Sequence, residues 1–290
     1  MSPTTNDPVR TAIVLGGGGV AGIAWELGLL HGLQESGVPI GDADLVVGTS
    51  AGSVVGALLR FDLIADAYRE QLDPVPTSYI EPPATDWEVI GASLTAAVTG
   101  ATSAQDARAR IGRAAAAVTG GQSDDDRTAT IAENFPRPGW PAAPLAVTAV
   151  DAEDGTFRVF TAEDGVPLPR AIAASCSVPF VWSPVHIDGR RYVDGGVRSV
   201  TNADVASRAS RVLVVACRAE DPSPTGPYLD RAVAELREGG AAVEVVVADE
   251  AAQTAYGTDV LALATRGPSA RAGRAQGVRI AERVSDFWSA

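Results

Sequence analysis

Short apolar runs alternate with amphipathic stretches along the chain, a rhythm that predicts strands joined by helical crossovers. Thr11 to Leu15 is an apolar run entering four consecutive glycines, and Val20 to Gln34 follows as a helix that stops at Gly37. Asp44 to Val47 predicts a second buried strand, Gly48-Thr49-Ser50-Ala51-Gly52 a tight turn, and Ser53 to Arg60 another helix. From Asp73 to Pro144 prolines gather at both ends, Ala, Thr and Gly fill the middle, and the acidic run Asp124 to Asp126 reads as an exposed loop. This predicts a helical insertion over the sheet at about 73–144. Strand patterns return at Leu145 to Val150 and Thr156 to Thr161, followed by a helix near Pro169 to Ser175 and a hairpin at Asp188-Gly189. Further strands are expected at Val212 to Ala216 and Val243 to Val247. A last helix from about Ala270 to Trp288 carries Val278, Ala281, Val284 and Trp288 on one side. No internal repeat is visible, and residues 1–290 read as one α/β domain.

Composition narrows the chemistry. The 290 residues are 46% hydrophobic and 20% charged, enough apolar material for a sizeable core. The net charge is −13, and every one of the 23 basic residues is Arg. Without lysine, a Walker-type phosphate loop and all Schiff-base mechanisms are excluded. Two His and two Cys, Cys176 and Cys217, are too few and too scattered for a structural zinc site. The acidic balance opposes nucleic acid and firm docking on anionic membranes, so membrane contact is expected to be at most transient and apolar. MSPTTNDPVR has no apolar signal core, and Val89 to Gln105 is broken by five Ser or Thr residues and two Gly. These features point to the cytoplasm and to two reduced, buried thiols.

Three local patterns can carry chemistry. Ser50 stands in Gly48-x-Ser50-x-Gly52, between the apolar strand Leu45-Val46-Val47 and the apolar helix Val54 to Leu59. That is the setting of a nucleophile elbow, where a strained turn presents the hydroxyl at a helix N-terminus. The loop Gly16 to Gly19, with Gly22, allows three readings: an oxyanion hole built from unhindered amides, a dinucleotide fingerprint Gly17-x-Gly19-x-x-Gly22, or a mere tight turn. A dinucleotide site needs an acidic residue at the end of the second strand, and Gly48-Thr49-Ser50 stands there instead. The base is the third question. His31 lies within the first helix and His186 on a hairpin strand, and both read as structural. A carboxylate that touches the serine in a partly dry site can serve directly. Asp188-Gly189 looks like the hairpin turn itself, whereas Asp194-Gly195-Gly196 ends the returning strand with two glycines that permit close approach, which favours Asp194.

Glycine loop, serine elbow and Asp-Gly-Gly, in that order, resemble the patatin-like phospholipases, and the likeness extends through AIAASCSVPFVWSPVHIDGRRYVDGG, Ala171 to Gly196. The resemblance implies a three-layer α/β/α fold with a mainly parallel central sheet. It also implies Ser50 as nucleophile, Asp194 as base, Gly17, Gly18 and Gly19 as oxyanion donors, and no metal or cofactor; the amide of Ala51 is a further candidate donor. One departure stands out: Ala21 occupies the position before the loop's last glycine, where the family usually carries Arg or Lys. The expected activity is hydrolysis of a lipid or other apolar ester through an acyl-enzyme. A dinucleotide-binding oxidoreductase and a catalytically silent lipid-binding or regulatory protein are the alternatives. Within the insertion, Trp87, Ile90, Leu94 and Val98 form an apolar stripe that serves either as core or as a lid bounded by Gly91, Gly100 and the prolines before Trp87.

Overall fold

The central strands are apolar on both faces because both are covered. In β1 (Thr11–Leu15), Ile13 and Leu15 face one hydrophobic cluster while Ala12 and Val14 face another. The computed structural model describes residues 9–74, 85–117, 122–136 and 139–290. After β1 come α1 (Gly19–Glu35), β2 (Leu45–Gly48), α2 (Ala51–Arg60) and α3 (Ile64–Leu72). Three helices follow, α4 (Trp87–Val98), α5 (Ala104–Ala116) and α6 (Asp124–Ala132), before β3 (Leu145–Asp151) and β4 (Phe157–Phe160). The chain continues through α7 (Leu168–Ser175), β5 (Val185–Ile187), β6 (Arg190–Asp194) and β7 (Arg211–Ala216). It ends with α8 (Leu229–Glu238), β8 (Ala242–Val247), α9 (Glu250–Tyr256) and α10 (Arg266–Ser289).

Among the described residues these strands form one eight-stranded sheet. β3, β2, β1, β7 and β8 run parallel, as crossover helices require, and β4, β5 and β6 join antiparallel around β3. β4 lines one edge of β3 over Val147–Val150. β2 and β6 share the other edge, with Gly48 opposite Val147 and Asp194 opposite Ala149. The two candidate reactive segments therefore leave the sheet at the same place.

Helices cover both faces, with α1, α2, α7 and α10 over one cluster and α8 over the other. α1 and α10 cross closely because glycines meet there: a Cβ at Gly273 would stand 2.1 Å from the Trp25 carbonyl oxygen. This close contact corrects the expected face of α10. Ala281 and Val284 are buried, but Val278 is 44% exposed, and the buried face runs instead through Ala270, Gly273, Gln276 and Gly277. Gln276 accepts from the buried Trp25 indole at 3.0 Å. Helices α3, α8 and α9 are absent from the expected pattern, being short and rich in polar residues.

Asp124 to Asp126 also differ from expectation. They form the first turn of α6, capped by Ser123, where carboxylates favour the positive helix end. Asp124 also pairs with Arg170 and His186.

Candidate active site

Parallel strand β2 must turn into α2 within two residues, and the turn places Ser50 at φ 52°, ψ −118°. A serine adopts this left-handed conformation only where its surroundings fix it. Thr49 N–H donates to Leu15 O at 3.0 Å, Ser50 N–H to Ser175 Oγ at 2.8 Å, and Gly52 N–H to Gly16 O at 3.0 Å. Gly52 is required by the approach to β1, since a Cβ there would stand 2.1 Å from Leu15 O.

Asp194 ends β6. Its Oδ1 accepts from Gly196 N–H at 2.7 Å, and its own N–H donates to Ser177 O at 3.0 Å. Ser50 and Asp194 are 7% and 5% exposed, so water screens them poorly. Burial pushes the Asp194 carboxyl up to about 6, while the Gly196 N–H, the Ser50 hydroxyl and the charge of Arg127 each favour its ionised form and limit the rise. A carboxylate with that proton affinity beside a hydroxyl meets the requirement for general-base activation near neutral pH.

The glycine loop passes beside Ser50, and a side chain at Gly17 would stand 3.3 Å from Ser50 Cβ. One expectation is corrected here. Gly17 N–H donates to Val200 O at 2.8 Å and is therefore engaged, so it is not available to an oxyanion. Gly18, Gly19 and Ala51 donate to no backbone carbonyl among the described residues. Ala21 is fully buried, with its N–H on Val260 O at 2.9 Å.

Neither histidine is part of this cluster. His31 stacks on Tyr68 with ring centres 4.6 Å apart, and His186 is exposed with Nδ1 3.1 Å from Asp124. Asp188 and Gly189 both have positive φ in the tight turn between β5 and β6, away from the sheet edge where Asp194 lies. Cys217 is buried, but Cys176 is only partly so, and it stands 3.8 Å from Ser53 Oγ. Burial and the nearby Asp194 push its thiol up to about 12.

Several contributors carry no signal in the sequence. Ser175 and Ser177 gain their roles only when α7 is packed beside the elbow. Asn202 is fully buried and joins both halves of the site, its amide donating to Thr49 Oγ1 at 3.1 Å and to Gly195 O at 3.2 Å. Thr49 Oγ1 lies 2.8 Å from Thr148 Oγ1 beneath the elbow.

The insertion stripe packs beside this site. Ile90 is buried, and Leu94 and Val98 lie against a cluster containing Val193 and Val197, which flank Asp194. The Trp87 indole donates to Asp259 at 3.1 Å. Of the prolines before Trp87, Pro76, Pro82 and Pro83 lie outside the described residues, as does the N-terminal segment 1–8. Among the described residues no cluster of three or more His, Cys, Asp or Glu could hold a metal ion, and no helix is long and apolar enough to cross a membrane.

The profile of the Patatin-like phospholipase family matches residues 13–207. Lysophospholipase NTE1 of Phaeosphaeria nodorum is 50% identical over 50 residues, 17% of this chain and 3% of that protein. Patatin-like phospholipase domain-containing protein 6 of Mus musculus is 55% identical over 47 residues, 16% of this chain and 3% of that protein. The matched stretches thus span a small part of these much longer relatives. Among solved structures, VipD from Legionella pneumophila aligns with a TM-score of 0.45 at 14% identity, covering 95% of this chain and 67% of that one.

Proposed function

Because the chain belongs to the patatin-like phospholipase family, we propose that it hydrolyses carboxylic esters of lipids, with Ser50 as nucleophile and Asp194 as its base. The observation that carries this reading is the strained Ser50 elbow, set beside a buried carboxylate whose proton affinity is raised into the working range. Ser50 Oγ gives its proton to Asp194 as it attacks the ester carbonyl carbon. The oxyanion is held by amides of Gly18, Gly19 and Ala51, the last at the positive end of α2. On collapse the C–O bond to the alcohol breaks, and the alcohol leaves with the proton from Asp194. Water, deprotonated by the same carboxylate, then attacks the acyl-enzyme and regenerates the Ser50 hydroxyl while the fatty acid departs.

Lysophospholipids are the first substrate class to assay, since relatives carry that activity in their names. The deciding experiment is labelling with a fluorophosphonate, read by intact mass. One adduct, lost in Ser50→Ala, supports the reading. An unlabelled but folded wild-type protein would favour a catalytically silent lipid-binding role.

A further inference from the structure

The backbone N–H groups of Ser50 and Asp194 both donate to one short stretch. Ser175 Oγ accepts from Ser50 N–H at 2.8 Å, and two residues later Ser177 O accepts from Asp194 N–H at 3.0 Å. Together with the shared edge of β3 and Asn202, the hold on this stretch as it leaves α7 on its way to β5 therefore helps to set their spacing. Arg127, on α6, holds it. Its Nη2 donates to Ala173 O at 3.0 Å and Ser177 Oγ at 2.7 Å, and its Nη1 donates to Ser183 O at 2.8 Å. The Trp182 ring lies 5.2 Å from the guanidinium carbon.

Arg127 is 6% exposed, and these partners are all neutral oxygens. Among the described residues no carboxylate makes an ion pair with it, so its charge acts at longer range. The two carboxylates that feel it are Asp124 and Asp194. Asp124 is already paired with Arg170 and His186. We propose that Arg127 is a positioning residue for the dyad: it clasps the 173–183 stretch that spaces Ser50 and Asp194, and it stands as the buried counter-charge of the Asp194 carboxylate.

The surroundings of Asp194 support this assignment. The elbow contributes the Ser50 hydroxyl, the stretch after α7 the Cys176 thiol, and the aspartate's own turn the Gly196 N–H. From α4 and α5, Leu94, Ala97, Val98, Ile111 and Ala115 join the hydrophobic cluster that contains Val193 and Val197. Arg127 and Asp194 meet at Ser177, whose hydroxyl accepts from the guanidinium at 2.7 Å and whose carbonyl accepts from the Asp194 N–H at 3.0 Å, and the positive charge favours the ionised carboxylate. Arg127 sits on α6, within the three-helix segment between α3 and β3, and so ties that segment to the chemistry.

The inference rests on the reading of Ser50 and Asp194 above, and its test separates the two. Carboxyl ¹³C titration of Asp194, assigned through Asp194→Asn, is compared in Ser50→Ala and in Ser50→Ala/Arg127→Met. The midpoint is expected to rise by about one pH unit without Arg127. This readout needs no turnover, so it decides the role of Arg127 even if Ser50→Ala retains activity and the dyad reading fails. In the Ser50 background, the acidic limb of kcat/KM on a soluble ester moves upward in Arg127→Met by the same amount. Arg127→Lys keeps the limb in place but loses about tenfold in kcat, because an ammonium cannot span the three acceptors. An unchanged midpoint in folded Arg127→Met overturns the counter-charge. If that variant does not fold, Arg127→Lys decides: a limb shifted upward overturns the counter-charge, and an unchanged kcat overturns the clasp.

Discussion

Gly48 and Asp194 end two strands that meet head to head along one edge of β3, opposite Val147 and Ala149. Thr148 lies between these two partners, and its hydroxyl meets that of Thr49, the residue before Ser50. Asn202 closes the arrangement by reaching both Thr49 and Gly195. Asn202→Ala should strand several buried polar groups at once, costing about 2–3 kcal/mol of stability. It should also lower kcat with little change in KM, because the spacing of Ser50 and Asp194 relaxes while the substrate surface stays. Denaturant unfolding and steady-state kinetics check both, and a stable variant with normal kcat would remove Asn202 from the positioning role.

Ser50→Ala should abolish ester hydrolysis and fluorophosphonate labelling while the fold persists. Ser50→Gly should be equally inactive but more stable, by about 1 kcal/mol, since glycine adopts the positive φ without strain. Retained activity on p-nitrophenyl esters in either variant rejects Ser50 as the nucleophile.

The raised proton affinity of Asp194 links activity and stability to pH in opposite senses. Only the ionised carboxylate is a base, so kcat/KM should rise with pH through a midpoint near 6. For stability, the folded state binds this proton more tightly than the unfolded chain, whose carboxyl titrates near 3.8. The favourable contribution is complete below pH 3.8 and is lost as pH climbs through 6. Asp194→Asn should therefore be inactive, with a loss of order 10²–10⁴ in turnover, yet more stable than wild type at pH 8 by about 3 kcal/mol. At pH 3.5 the stability difference should vanish. His31→Ala and His186→Ala should stay close to wild-type turnover; a folded histidine variant as inactive as Asp194→Asn would replace the dyad with a triad.

Ala21→Arg, which would restore the cation usual in the family, should destabilise rather than activate. Ala21 is fully buried and bonded to Val260 O, so a guanidinium there must displace the loop carrying Val260 or remain buried. The expected result is a lower melting temperature and lower activity on anionic and neutral esters alike. A stable variant with a salt-dependent gain on anionic esters would mean that the loop can open to let the side chain out.

In helix α4, Leu94 and Val98 pack against the cluster that contains Val193 and Val197, and the Trp87 indole reaches Asp259, next to the residue whose carbonyl holds Ala21. Leu94→Ala should lower the melting temperature and both soluble-ester and aggregated-lipid activities together. Trp87→Phe removes only the indole N–H, and if α4 acts as a lid it changes the ratio of the two activities at nearly constant melting temperature. Equal losses on both substrates with a matching fall in melting temperature would make the whole stripe core.

Local pattern was sufficient for much of this protein. Apolar runs marked the buried strands, since a strand covered on both faces is nearly continuous in apolar side chains. Gly48-x-Ser50-x-Gly52 was legible because a strand that turns at once into a helix tolerates no side chains at the flanking positions. Asp194 could be singled out because its glycines follow a hairpin strand. Short amphipathic helices such as α8 were not legible, because their few buried positions gain meaning only against a partner. Tertiary structure alone decided which groups meet. It turned Gly17 N–H toward Val200, buried Ala21, exposed Val278 and set Ser175 and Ser177 astride the dyad. It also brought Arg127 onto the 173–183 stretch, 46 residues from Ala173 in the chain. Such contacts depend on which segments the sheet order makes neighbours. A local sequence records the conformation a residue prefers, but not the distant groups that later satisfy its hydrogen bonds or set its charge state.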